Sequence, residues 1–229
     1  MANYTKTEII RMLEVASKDM AVFYKQGFIN YRGKTTDTKE LYTEVISEWC
    51  CENYHLFDGI PMITRISSYK VDSHNGVPDN SLSNREEELI AMAIFRQRKV
   101  NGLGEILDYQ TPLKNKREDR AGKIDLLSFD GNYLRILELK EPDSKETMLR
   151  CVLEGCTYLR TVDIEKLLID FGLPTNVKVI ASPLVFLNGY QYKEIKACNP
   201  WLKKLIHKFS AKPLYIQNVK DEFLVVEES

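Results

Sequence analysis

Apolar positions recur at helical spacing over residues 5–27, where Ile9, Ile10, Leu13, Ala16, Met20 and Phe23 fall on one side. Gly27 is the predicted stop. A second helical run over 38–54 places Leu41, Val45, Ile46 and Trp49 together. PMITRISSYKV, 61–71, reads as a short strand, and DSHNGVPDNSLSN, 72–84, as a loop dense in turn formers. That loop is the predicted border between a helical N-terminal extension, 1–80, and a core, 81–229.

The core changes period. Ser83 and Glu86 have capping-box spacing and open a helix through REEELIAMAIFRQ, expected to end near Asn101-Gly102. Strands follow over 105–113, in KIDLLSF and in YLRILELK, with a charged loop over 114–122. Asp130-Gly131, between the last two strands, is a hairpin signal. Helices are predicted over 144–162 and 163–172, a buried strand over 177–186, a helix over 200–209, and strands in PLYIQ and FLVVE. The core order α-β-β-β-α-(α)-β predicts an α/β fold, a mixed sheet with helices on its faces. No internal repeat is visible.

The hairpin carries charges where alternation predicts burial. Leu134, Ile136, Glu138 and Lys140 share one strand face; Arg135, Leu137 and Leu139 share the other. Both faces are largely apolar, as for a central strand covered on both sides. A two-residue turn at Asp130-Gly131 pairs Phe129 with Asn132 and Asp125 with Ile136. Glu138 then lies one diagonal step from Asp125 on the same face. Two converging carboxylates need a cation to stay charged together. Oxygen-only ligation suits Mg²⁺, and a lysine beside it orients or activates a metal-bound water, chemistry suited to phosphodiester hydrolysis. The same charges also read as a buried salt-bridged hairpin without chemistry, and the pattern alone leaves both open.

Asp125 in GKIDLL, followed by Glu138-Leu139-Lys140 in LRILELK, resembles the PD-(D/E)XK nuclease superfamily over residues 84–186. The resemblance implies a restriction-endonuclease-like core of order αβββαβ. It also implies Mg²⁺ or Mn²⁺ on Asp125 and Glu138, with the Leu139 carbonyl as a further ligand and Lys140 positioning or activating the attacking water. A glutamate on the first core helix is expected to reach the metal. Of Glu86, Glu87 and Glu88, Glu87 is chosen because Ile90, Ala91 and Ile94 continue its stripe; acidic residues there equally favour the helix dipole. Some branches carry QxxxY on the helix after the third strand, where this chain has Glu154 and Tyr158. Arg150, Glu154 and Tyr158 step by four on one face. They read either as lining the site, Arg150 on a phosphate and Glu154 on Lys140, or as a surface ion pair beside a half-buried tyrosine. Ile124 replaces the family's name-giving proline.

The function implied is a divalent-metal-dependent nuclease acting on nucleic acid, DNA first and RNA second. The alternative is a catalytically idle nuclease-like scaffold that binds nucleic acid or a protein partner. The extension is left open between substrate selection, homodimerisation and holding a protein partner.

Charge narrows the picture. With 32 basic and 33 acidic side chains the formal net charge is −1, so any polyanion site must be a local patch or use a metal's charge. Lys114, Lys116, Arg117, Arg120 and Lys123 form one basic stretch, and Lys203, Lys204, His207 and Lys208 another; each reads equally as solvated surface. Five cysteines, with Cys50 and Cys51 adjacent, argue against a disulfide framework. The polar start lacks a signal-like apolar region, and no apolar run reaches bilayer length, so a reducing cytoplasm and no membrane are expected. Cys50, Cys51 and His55 lack zinc-site spacing. Three scattered histidines suggest no triad, and NGLGE lacks phosphate-loop spacing.

Overall fold

The computed structural model describes residues 3–77, 86–197 and 199–226, apart from the Arg117 side chain. Ser83 and its expected cap lie outside the described residues, as does the end of the 72–84 loop; residues 72–77 carry neither helix nor strand.

The fold is mixed α/β, built on one seven-stranded sheet in the order β1 to β7. The strands are Lys99–Val100 (β1), Gly104–Pro112 (β2), Lys123–Phe129 (β3), Tyr133–Leu139 (β4), Lys178–Phe186 (β5), Leu214–Val219 (β6) and Glu222–Val226 (β7). β1 to β4 form an antiparallel meander, β4, β5 and β6 run parallel, and β7 returns antiparallel. β4 is central and buried on both faces, as its two-sided apolar sequence requires.

The helices are Lys6–Ala16 (α1), Tyr42–Glu52 (α2), Glu86–Gln97 (α3), Met148–Thr161 (α4), Ile164–Asp170 (α5), Tyr190–Lys196 (α6) and Pro200–Lys208 (α7). α3 covers one sheet face, where Ala91, Ile94 and Phe95 join a cluster with Leu126, Leu137 and Leu139. α4 covers the other with Leu149 and Val152 against Leu134 and Ile136. Ile9, Leu13, Phe23 and Ile46 belong to this second cluster, so the N-terminal helices share a core with the sheet. α2 packs along α7. No helix among the described residues is long and apolar enough to cross a membrane.

Local chemistry moves several expected boundaries. The helix predicted over 5–27 stops at Ala16; the chain continues in 3-10 turns, Met20–Lys25 and Gly27–Asn30. Ser17 Oγ donates to the Glu14 carbonyl at the break, a side-chain bond that competes with helix continuation. Residues 61–71 are not a strand. Apart from one bridge, Ile63 to Val162, their amides go to side chains: Ile66 N to Asn115 and Tyr69 N to Asp170. α3 ends at Gln97 because Arg98 turns left-handed, at φ 65°, and β1 follows directly. α4 starts later than the predicted 144, since Thr147 caps it by accepting from Arg150 N. α6 was not expected from the pattern.

Candidate active site

The site begins with the turn between β3 and β4. Asp130 Oδ1 accepts from the amides of Asn132 and Tyr133, and Oδ2 pairs with Arg135 Nη2 at 2.6 Å. Asp130 therefore flanks the turn, whose central residues are Gly131, at φ 96°, and Asn132. The ladder pairs Phe129 with Leu134 and Leu126 with Leu137, two residues from the expected register. A two-residue shift keeps every side chain on its face. Carried on, it puts Asp125 across from Glu138 rather than diagonal to it. There the ladder ends, and the Leu139 amide donates to Asp125 Oδ2 at 2.9 Å.

Asp125 Oδ1 accepts from Gln110 Nε2 at 3.1 Å. Gln110 is left-handed, at φ 49°, on a strand whose pairing with β3 is irregular between Ile106 and Asp108. Such backbone strain in a non-glycine residue persists only where surroundings enforce it.

Lys140 is the hub. Its amide donates to the Leu184 carbonyl, fixing its backbone to β5. Its Nζ lies 2.8 Å from Glu138 Oε1, 3.1 Å from Glu146 Oε2 and 3.5 Å from Glu87 Oε1. Glu138 and Lys140 are each 3 % exposed. The other oxygen, Glu138 Oε2, is buried without a hydrogen-bond partner. That orphan is costly unless something polar or cationic meets it.

Burial pushes the Asp125 carboxyl up to about 7, Lys140 pulling it back and Glu87 adding to the rise. Burial, with Asp125 and Glu154 nearby, raises Glu138 well above the usual range. Glu87 is raised by burial and eased by Lys140. Burial opposes the Lys140 ammonium, but Glu138, Asp125 and Glu87 outweigh it and hold the lysine protonated. One cation is thus shared among more carboxylates than it can neutralise.

The third part of the site is α4. Arg150 Nε meets Glu154 Oε2 at 3.1 Å, and Tyr158 OH donates to Glu154 Oε1 at 2.7 Å. Glu154 is therefore occupied by Arg150 and Tyr158, and Glu146 takes the place on Lys140 that the sequence suggested for it. Tyr24 OH, from the N-terminal region, donates to Tyr158 OH at 3.3 Å. Gly122 passes so close that a Cβ there would stand 2.8 Å from Tyr158 Cζ.

Asp125, Glu138, Lys140, Glu87, Glu146, Arg150, Glu154 and Tyr158 line one open pocket of about 500 Å³. Its walls hold Glu87, Asp125, Glu138, Glu141, Asp143, Glu146 and Glu154 against Lys140, Lys145 and Arg150, an excess of negative charge. The structure therefore brings together Asp125, Glu138, Lys140, Glu87, Arg150, Glu154 and Tyr158, with Leu139 between Glu138 and Lys140. Glu146, Gln110 and Asn30 were missed. Asn30 Oδ1 accepts from Thr147 N at 3.1 Å and Nδ2 reaches Glu146 Oε1 at 3.4 Å. Glu146 lies in irregular backbone, Gln110 is left-handed and Asn30 ends a 3-10 turn, so no periodic signal marks them.

Among the described residues no group of three or more His, Cys, Asp or Glu is arranged to hold a metal. Mg²⁺ commonly takes only one or two carboxylates and completes its octahedron with water and substrate oxygens. Asp125 and Glu138 match that smaller demand: hard oxygen donors, one oxygen buried and unpartnered, in a pocket short of positive charge. No protein-family model, curated protein or solved structure matches the chain.

Proposed function

We propose that the chain is a divalent-metal-dependent nuclease of the PD-(D/E)XK type, with a restriction-endonuclease-like core, acting on phosphodiester bonds of DNA or RNA in the cytoplasm. The observation that carries this reading is the unpartnered Glu138 Oε2 beside Asp125, with Lys140 Nζ 2.8 Å from the other Glu138 oxygen. Asp125 and Glu138 would hold Mg²⁺ or Mn²⁺, the Leu139 carbonyl adding a ligand. The ion supplies Lewis acidity and offsets phosphate charge in a pocket that otherwise repels a polyanion.

The chain's own residues do the rest. Gln110 and the Leu139 amide fix the Asp125 carboxylate before anything binds. Lys140 stays protonated among its carboxylates and holds the attacking water by donating to it. Glu87 and Glu146 keep the ammonium at the pocket wall. Arg150, on the pocket rim, meets a phosphate oxygen.

One observation favours the idle scaffold instead: Lys140 Nζ lies within 3.5 Å of three carboxylates, as in a purely structural ion cluster. Two measurements separate the readings. Mn²⁺ titration calorimetry should show binding that Glu138→Gln abolishes. Mixed DNA and RNA substrates should be cut with Mg²⁺ or Mn²⁺ by the wild type and spared by a folded Lys140→Ala variant. Absence of both binding and cleavage leaves the scaffold.

A further inference from the structure

The acidic pocket has a cationic flank built by two distant parts of the chain. Arg150, on the pocket wall, places its guanidinium 4.9 Å from the centre of the Tyr24 ring. The Lys25 ammonium lies 5.3 Å from the same ring centre. Lys25 Nζ then donates to the Arg120 carbonyl at 2.7 Å, crossing from the N-terminal region to the loop before β3. Arg120 answers with a 3.3 Å contact to Asp19, a second link between the same two segments. Lys114 belongs to that loop as well, and Arg65 Nη1 donates to its carbonyl.

These cations repel one another. Burial lowers the Lys25 ammonium first, and Arg150, Lys114 and Arg120 each lower it further, against a pull from Glu154. Gathering like charges costs stability, and a bound polyanion offsets that cost. The arrangement also answers the pocket's own difficulty: carboxylates gather a metal where bonds break, and the phosphates on either side need cations elsewhere.

We propose that Arg150, Lys25, Arg120 and Lys114 form a track for the sugar-phosphate backbone of a nucleic acid leading out of the pocket. The N-terminal region is then part of the substrate surface, contributing Lys25 and, through Tyr24, the platform shared with Arg150. This rests on the nuclease reading for the identity of the pocket. The residues recognise phosphodiester oxygens, common to DNA and RNA, so both polymers are tested.

The experiment measures fluorescence anisotropy of short labelled DNA and RNA oligonucleotides, single-stranded and duplex, in EDTA and over a salt series. The full chain is compared with Lys25→Gln, Lys114→Gln and Arg120→Gln. The Arg120 side chain is 71 % exposed and its pair with Asp19 is a surface one, so that variant tests the track at little folding cost. Lys178→Gln, at the turn end of the sheet beside Tyr133, is the control. Each lost phosphate contact should weaken binding and flatten the plot of log affinity against log salt by about one unit, whatever the sequence. The control should match wild type.

Variants that bind with wild-type affinity and salt slope overturn the track, as does a wild type that binds none of the oligonucleotides at low salt. Cleavage with Mn²⁺ is scored separately. Metal-dependent cutting with unaltered variant binding sinks the track alone. Track-dependent binding without metal uptake or cutting sinks the nuclease reading alone.

Discussion

The Leu139 amide donates to Asp125 Oδ2 at 2.9 Å, so the strand that presents Glu138 also holds the carboxylate opposite it. The two acids cannot drift apart to relieve their repulsion. Charge must be relieved by protonation, by Lys140 or by a metal.

That constraint sets a pH dependence. Burial raises Asp125 from 3.8 to about 7, and Glu138 moves the same way. At these two groups the folded state therefore binds more protons than the unfolded chain, and their contribution to stability falls as pH rises from about 4 to 7. The loss for Asp125 is at most about 4 kcal/mol. Thermal melts in EDTA should show the decline as the difference between wild type and Asp125→Asn, the wild type losing ground to the variant as pH rises. Mn²⁺ should raise the wild-type melting temperature at pH 8 and leave that of Asp125→Asn unmoved. A variant melting like wild type at every pH would mean that the carboxylate is ionised and satisfied without metal.

Removing Lys140 strands its carboxylates. Lys140→Met should cost about 3–5 kcal/mol in urea unfolding near neutral pH, because a buried charge loses its partner. With Glu138→Gln in the same chain the cost should shrink, giving a coupling of about 1–3 kcal/mol. Additive losses would show that the 2.8 Å contact between them carries no energy.

Asn30 acts through others. It holds Glu146 and the Thr147 amide, and Glu146 holds Lys140. Asn30→Ala should destabilise the fold by about 1–3 kcal/mol by leaving the Thr147 amide without its partner. It should also lower kcat while leaving oligonucleotide affinity intact. An unchanged kcat would make Asn30 a purely structural tie.

His74 has a partner the sequence did not reveal. Its Nδ1 lies 2.6 Å from Asp108 Oδ1, and Asp108 is 2 % exposed, with further bonds from Tyr109 N and Thr111 Oγ1. The ring stacks on Tyr109 with centres 4.3 Å apart. His74→Ala should cost about 1–3 kcal/mol and speed amide exchange over residues 72–77. Unchanged exchange would show that other contacts, such as the Gly76 amide on Tyr109 OH, suffice to hold this segment.

The hairpin and its three charges were legible because period-two alternation fixes faces, and faces survive a two-residue slip. The register was not legible, since Asp130 spends its side chain capping the turn and shifts the central pair to Gly131-Asn132. Glu87 was within reach because an apolar stripe orients α3. Glu146 and Asn30 carried no such stripe; their positions depend on how the N-terminal region closes over the start of α4. The segment 61–71 failed as a strand for a related reason: its apolar residues promised a ladder, and side chains of the β2–β3 loop and α5 took its amides first.

Gly122 keeps an ordinary backbone, so its lack of a side chain answers only to the tyrosine beside it. A change at one position therefore has to be matched at the other. Among relatives, any residue larger than glycine at the first should accompany something smaller than tyrosine at the second. The order matters: a smaller residue in place of Tyr158 makes room for a side chain at 122, whereas a side chain placed there first meets the ring.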